Sequence, residues 1–438
     1  MEISLEAKKA YLANAKKNIK ITIGNNQIID NSLIQSESLE LIEKIMDSNV
    51  EFVGCIASKF EVQIYNTFDN IKGKDISVTI STDSTEEIPL FHGIIDSAVA
   101  QTNKRFRKIT AYDQLYTKGQ KDVAAWYNGL TFPKTLKEIR DSLFEYLNIE
   151  QTEVELKNDS ISIEKRYNPQ SLLALDVIKS ICQINAVFGI INRNNKFDYI
   201  TLPDIFPDEG TFPSVTLFPP FYPGKMLSGE YSPDETELPY YQSVDYEDWL
   251  VNPVDKLTIR QSESDTGVTV GDGDNRYIIQ GNMFTTGLDN DTLLQMANNI
   301  FPNVQKISYH PFTSSNPGLP WLECGKDAIS CKVINYEKTD ASGNFVYENK
   351  VFYIFSRELK GIQALTDSYS AEGEEYQSEF LTDVGVSLSA IKQEITEEVK
   401  NYVDEKYGTG LNVQSVTVLP NNPDPNVIYL IQGIVEVN

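Results

Sequence analysis

Two stretches of this chain echo each other: "IKGKDISVTI" at 71–80 and "ECGKDAISCKV" at 323–333. Both carry Gly-Lys-Asp followed by Ile-Ser, the second with Ala328 inserted. A shared tripeptide is expected by chance at this length, so the context carries the reading. Each stretch leads through a polar turn region into aromatic strand sequence, "IPLFHGIIDSAV" after the first and "KVFYIFSRELKG" after the second. The chain therefore reads as a β domain used twice, one copy covering roughly 19–120 and the other 255–375.

The second stretch also raises a chemical question. Cys324 and Cys331 lie close together and His310 stands upstream. Zinc ligands come as closer pairs, and no fourth ligand is in evidence. On one straight strand the two thiols would sit ~23 Å apart, far beyond disulfide reach. They read as buried apolar thiols. Cys55 and Cys182 are each far from any other cysteine in sequence, so no small secreted disulfide framework is present.

Composition bounds the rest. The 438 residues allow two or three domains, and 41% hydrophobic with 23% charged content is that of a globular protein. Tyr (23) and Phe (20) are abundant, which favours half-buried strands. The net charge of −25 argues against tight nucleic-acid binding, which needs clustered Lys and Arg. The first residues, "MEISLEAKKAYLANAKKN", lack the apolar core of a signal peptide, and no long apolar run predicts a membrane-spanning helix. Folding in a reducing cytoplasm is the expectation.

Periodicity predicts the element types. Residues 1–18 read as a short amphipathic helix. "IKITIG", "KFEVQIYN", "DISVTI", "PLFHGIIDSAVAQ" and "RFRKITAYD" alternate as strands of a barrel or sandwich, taken as 19–124. An α+β unit is expected at 125–202. Its first helix begins near Pro133 and buries Leu136, Ile139, Leu143 and Leu147; its second spans about 170–185 and is followed by a hairpin. Residues 203–254 carry nine prolines among tyrosines and acids and read as an extended segment packed on a surface. Strands resume over 255–380, interrupted by a helix at 290–301 with Asn290 as its cap. In 381–438 a heptad seam of Val384, Leu388, Ile391, Ile395, Val399 and Tyr402 precedes two apolar strands, read as a hairpin. The fold class is α+β, mainly β.

Catalytic motifs are missing from the sequence. The two histidines, His92 and His310, have no partner four residues away, and no GxSxG, Walker or GxGxxG pattern occurs. "VGDGDNRY" at 270–277 places Asp272 and Asp274 as a calcium loop would, but lacks the later glycine and closing glutamate, so a hairpin turn is expected. No cofactor and no metal are predicted.

The order of features resembles phage tail hub proteins, also called baseplate hub or tail-tip proteins, of bacteriophages and phage-tail-like particles. The resembling segments are 51–64, 88–116, 132–149 and "NPGLPWLECGKDAISCKV" at 316–333, where Lys326 is extra between Gly and Asp. The resemblance spans about 20–380. It implies a homotrimer in which each chain gives two related tube-type β-barrel domains, so that six domains ring a channel. Such a ring joins a sixfold tail tube to a threefold spike or fibre. Implied partners are the tail tube or distal tail protein, the tape-measure protein and a spike or fibre, with DNA passing unbound, in a virion tail assembled in the bacterial cytoplasm. The terminal segment with Leu419, Pro420, Pro423, Pro425, Ile428 and Tyr429 is similar to a motif near fibre modules, which implies a docking point. The seam at 384–402 then suits a threefold axis, and part of the negative charge would line the channel and repel DNA. The alternatives are a tail-associated cell-wall hydrolase and a carbohydrate-binding recognition protein using tyrosines of 240–249. About 60 residues follow the second β domain, too few for a typical hydrolase domain.

Overall fold

The computed structural model describes residues 3–383, except 14, 25–26, 47–53, 67–69, 103, 167, 202–242, 263, 340 and 376–379; beyond 383 it describes 412–416 and 427–431. The seam at 384–402 and Leu419, Pro420, Pro423 and Pro425 lie outside the described residues, and of the side chains of Ile428 and Tyr429 nothing is described.

A helix α1 (Leu5–Leu12), capped by Ser4, opens the chain. It is shorter than expected, because sheet pairing claims the chain from Lys17 onward, opposite Thr82. The first half then supplies β1 (Lys17–Ile23), β2 (Gln27–Asp30), β3 (Glu40–Lys44), β4 (Lys59–Tyr65), β5 (Asp75–Thr82), β6 (Ile88–Ala100) and β7 (Phe106–Tyr112). Strict alternation explains these strands: in β5, Ile76, Val78 and Ile80 are fully buried while Ser77, Thr79 and Ser81 face outward. Each such aliphatic side chain contributes about 1.5–3 kcal/mol by leaving water.

Helices α2 (Gln114–Gly119) and α3 (Ala124–Gly129), the short strand β8 (Lys134–Thr135) and α4 (Leu136–Leu147) follow. Leu136, Ile139, Leu143 and Leu147 are buried, as their spacing predicts. The cap is Thr135 in a capping box with Glu138, so Pro133 stands just outside the helix rather than in its first turn. The unit is completed by β9 (Ser162–Ile163), α5 (Ala174–Ile184) and the antiparallel pair β10 (Val187–Ile191) and β11 (Phe197–Thr201).

The second half contains β12 (Ser243–Tyr246), β13 (Lys256–Arg260), β14 (Val268–Gly271), β15 (Arg276–Gln280), α6 (Asn290–Val304) and β16 (Phe312–Pro317). After these come β17 (Ala328–Thr339), β18 (Phe345–Tyr353), β19 (Ser356–Lys360), β20 (Thr366–Ala371) and β21 (Phe380–Asp383). The cap of α6 is Asp289, whose carboxylate accepts from Thr292 N–H, rather than Asn290. The glycine-aspartate turn at 271–275 is not a hairpin turn. β13 lies between β14 and β15 and pairs with both, antiparallel to the first and parallel to the second. The last strands, β22 (Asn412–Val416) and β23 (Val427–Ile431), pair in parallel, so they do not form the expected hairpin.

Eleven strands form one open sheet in the order β12-β16-β20-β19-β3-β4-β7-β6-β5-β1-β2. No pairing among the described residues closes it into a barrel. The seam between the two halves is β3 against β19, with Leu41 opposite Leu359 and Ile42 opposite Glu358. The register on the two sides of that seam matches residue for residue. Phe60 pairs Ala111 between β4 and β7, and Phe312 pairs Ala371 between β16 and β20. Thr110 faces Ser97 across to β6, and Ser370 faces Ser356 across to β19.

The two echoing stretches occupy matching places. Gly73 and Gly325 both adopt left-handed backbone, at φ 77° and 76°, where a side chain would be strained. Gly73 N–H donates to Ile95 O, and Gly325 N–H donates to Ile354 O. Ile95 N–H returns a bond to Lys74 O, and Ile354 N–H returns one to Asp327 O. Ile76 and Ser77 therefore match Ile329 and Ser330, and the extra residue falls between Gly325 and Asp327 rather than at Ala328.

A buried polar cluster welds the seam. Arg357 on β19 uses all five of its N–H donors: Nε and Nη2 grip the Asp367 carboxylate at 2.9 and 2.8 Å, Nη1 reaches Glu43 Oε2 at 2.9 Å and Leu322 O at 2.7 Å, and Nη2 reaches Leu319 O at 3.1 Å. Tyr369 O–H donates to Asp367 at 2.9 Å. Burial works against the Arg357 charge, yet Asp367 and Glu43 more than restore it and hold it well above the usual guanidinium range.

Asp113 anchors the exit from β7. Its carboxylate accepts Leu115 N–H at 2.9 Å, capping α2, and Ser58 N–H at 2.6 Å. Asp113→Ala will cost about 2–3 kcal/mol through the lost cap and the stranded Ser58 donor, measured by urea unfolding. Burial also pushes Asp113 up from 3.8 to about 7, against those backbone donors. A folded value above the unfolded one favours the protonated fold. That stabilisation is complete below 3.8 and is lost as pH rises through about 7, so the penalty of the substitution is larger at acid pH.

Candidate functional site

The sequence-predicted chemical groups do not converge. His310 Nδ1 lies 3.0 Å from both Glu247 O and Trp249 O, and its ring packs edge-on to Tyr246. Burial, then the Lys350 charge, lowers its pKa. Cys324 is buried with Sγ 3.1 Å from Phe355 O, and burial pushes its thiol well up; the Cys331 side chain lies outside the described residues. Cys55 and Cys182, remote in sequence, are buried together with their sulfurs 3.6 Å apart. Among the described residues no three His, Cys, Asp or Glu side chains are grouped to hold a metal ion, and no helix is long and apolar enough to cross a membrane.

What the fold does assemble is a surface. One face of the sheet is core: Phe60, Val62, Ile109, Ala111, Leu41, Leu359, Tyr369 and Phe312 are buried on it. Alternation sends the intervening residues to the opposite face. There one row runs Ser97, Thr110, Glu61, Glu40, Lys360 and Thr366 across β6, β7, β4, β3, β19 and β20. Two rows along, on the far side of Glu358 and Ser368, a row runs Lys44, Ser356, Ser370, Thr313 and Asp245 from β3 to β12. Small hydroxyl side chains dominate the β19, β20 and β16 part and floor a hollow of about 540 Å3.

The cations on this face are spoken for. Lys59 and Lys108 both reach Glu61, at 3.1 and 2.9 Å. Lys360 reaches Glu358 at 2.7 Å and Glu40 at 3.3 Å. The Glu61 carboxyl is held below the usual range: burial opposes this, but hydrogen bonds from Lys108, Lys59 and Thr110 outweigh it. The chain's excess of acid is therefore not concentrated here. This face is close to neutral, hydroxyl-rich and laced with ion pairs.

The chain is similar to phage tail proteins of known structure. A tail protein from Neisseria meningitidis MC58 superposes with a TM-score of 0.43 at 12% identity, over 83% of this chain and 98% of that one. The 43 kDa tail protein of prophage MuSo2 from Shewanella oneidensis gives 0.44 at 10% identity, over 81% and 97%. The E. coli c3393 protein, described as a component of the type VI secretion system with structural similarity to T4 bacteriophage tail proteins gp27 and gp5, gives 0.41 at 9% identity, over 82% and 78%. No protein-family model and no curated protein sequence matches the chain.

Sequence reasoning located the strands that carry this face but not the face itself. Its one available signal was the Lys-x-Glu of β4, the Glu-x-Lys of β19 and the Ser/Thr alternation of β20. That pattern acquires meaning only when the strands are set side by side.

Proposed function

We propose that the chain is the structural hub of a phage tail tip or baseplate: a homotrimeric ring that joins a sixfold tube to a threefold spike or fibre and lines the DNA channel. The observation that carries this reading is the single sheet that runs through both halves of the chain with matched register and presents one hydroxyl-rich, ion-paired face. In this reading 19–124 and 255–380 are two related tube-type units, 125–202 is an α+β unit set between them, and 381–438 supplies a trimer seam and a fibre-docking segment.

Each chain then gives the ring eight strands: β6, β7, β4 and β3 from one unit, and β19, β20, β16 and β12 from the other. Three copies give 24, which at ~4.8 Å per strand is a circumference of about 115 Å and a bore of about 37 Å between backbones. A face without free cations suits such a bore, because phosphate capture needs unpaired Lys or Arg. The proposed neighbours are the tail tube or distal tail protein, the tape-measure protein and a spike or fibre.

Light scattering on the purified chain tests the ring. The expected mass is three times 49.4 kDa, about 148 kDa. A monomer at every concentration, releasing fragments from cell-wall material, overturns it in favour of a hydrolase.

A further inference from the structure

Two of the chain's four cysteines meet in the fold although they are remote in sequence. Cys55 stands just before β4, Cys182 sits in the last turn of α5, and their sulfurs lie 3.6 Å apart. Both are buried, Cys55 at 4% exposure and Cys182 at 0%. The backbone beside Cys55 is held on two sides. Gly54 O accepts Gly189 N–H from β10 at 3.3 Å. Gly54 also packs so closely that a Cβ there would stand 1.9 Å from Ile45 O, just past β3. Gly189 leaves the room that the sulfur occupies, because a Cβ at 189 would lie 2.9 Å from Cys55 Sγ. Around Cys182, the neighbours Ile181, Gln183 and Ile184 are buried as well. The two thiols are therefore presented to each other by packed backbone on both elements.

This arrangement differs from that of Cys324, whose sulfur faces carbonyls, 3.1 Å from Phe355 O and 3.7 Å from Ile354 O. A disulfide places its sulfurs about 2.05 Å apart, so the Cys55–Cys182 pair needs about 1.5 Å of closure. Rotation of the two side chains about their Cα–Cβ bonds can supply it.

We propose that Cys55 and Cys182 form a dithiol that low-molecular-weight disulfides oxidise to an intramolecular bond, clipping α5 to the entry of β4. The step is thiol–disulfide exchange. The Cys55 thiolate attacks one sulfur of the small disulfide RSSR, forming a mixed disulfide and expelling RS−, which takes up a proton. Cys182, on giving up its own proton, attacks Cys55 Sγ and expels the second RS−, which leaves as RSH. Two cysteine thiols are oxidised to one disulfide, and RSSR is reduced to two RSH. Cys55 is the entry point because it is the less enclosed, and reaching it requires the Gly54–Gly189 hydrogen bond to open. Burial pushes the Cys182 thiol well up, so it stays protonated until the mixed disulfide is beside it. Excess small thiol keeps the pair open, and excess small disulfide closes it. The bond joins residues 127 apart, and cross-links that close long loops constrain the unfolded chain most. The clip lies within one copy of the chain and does not depend on the ring.

The full chain, held folded with excess oxidised glutathione, tests it. Thiols titrated after denaturation should fall from four to two, and peptide mapping should link Cys55 to Cys182. The thermal midpoint should rise by ~5 °C or more and return with dithiothreitol. Cys55→Ala and Cys182→Ala should each melt alike with and without the oxidant. If either variant fails to fold, the peptide map of the parent decides alone. Four thiols retained even in mild urea, a lasting glutathione adduct on Cys55, or a link to another cysteine overturns the proposal. A Cys55–Cys182 link that leaves the midpoint unchanged overturns the clip.

Discussion

Arg357→Ala will cost the fold about 3–5 kcal/mol, the largest single-residue effect expected in this chain. The loss comes less from the bonds removed than from what remains. Asp367 is fully enclosed and loses its guanidinium partner, while Glu43, nearly enclosed, keeps Arg193 at 3.8 Å but loses the closer contact. The carbonyls of Leu319 and Leu322 lose a donor as well. Arg357→Lys keeps the charge but cannot fork to Asp367, Glu43 and two carbonyls at once, so it should recover only part of the loss. Because Glu43 belongs to the first half and Asp367 to the second, the damage should appear as separation of the halves. Thermal unfolding followed by tryptophan fluorescence is the measurement, since Trp321 lies beside this cluster in sequence and is buried. A shift no larger than that of a surface substitution would show that the seam is held by its apolar pairs alone.

The second large effect concerns adhesion to DNA. The triple substitution Glu61→Gln, Glu40→Gln and Glu358→Gln removes the carboxylates that occupy Lys59, Lys108 and Lys360. The three lysines are 33–49% exposed and each Gln keeps the size and hydrogen-bonding capacity of the glutamate it replaces, so the fold should persist. Three freed cations per copy should convert a non-binding face into one that takes duplex DNA, with log K falling by about 2.7 per decade of salt for each copy engaged. Fluorescence anisotropy against a labelled duplex at low and physiological salt reads this directly. An unchanged, non-binding variant at low salt would separate this face from the DNA path. In the proposed ring, the paired lysines of this face would leave phosphate no unpaired cation to bind.

The strand positions were legible from alternation because burial on one face imposes a period of two, and Ile76, Val78, Ile80, Phe60, Val62 and Ile64 obey it without exception. The helix at 136–147 was legible for the same reason at a period of 3.6. The errors share a cause. Strands β22 and β23 are close in sequence yet parallel, and β13 inserts between β14 and β15. Pairing partners depend on which edges remain open after the rest of the sheet forms, and a local pattern does not encode that. Cys55 and Cys182 meet because α5 packs beside the entry to β4, a contact between residues 127 apart.

By itself the sequence determined that the chain is mainly β, that two of its stretches echo each other, and that it carries no recognisable catalytic motif. Those conclusions rest on periodicity, on the echo between 71–80 and 323–333, and on residue type, all of which are local. Only the tertiary structure decided that the two units share one sheet, that lysines and glutamates from separate strands neutralise each other across it, and that Arg357 and Glu43 meet at the seam. Strand neighbours are fixed by hydrogen-bond register over hundreds of residues, so the face they build exists only once the chain has folded.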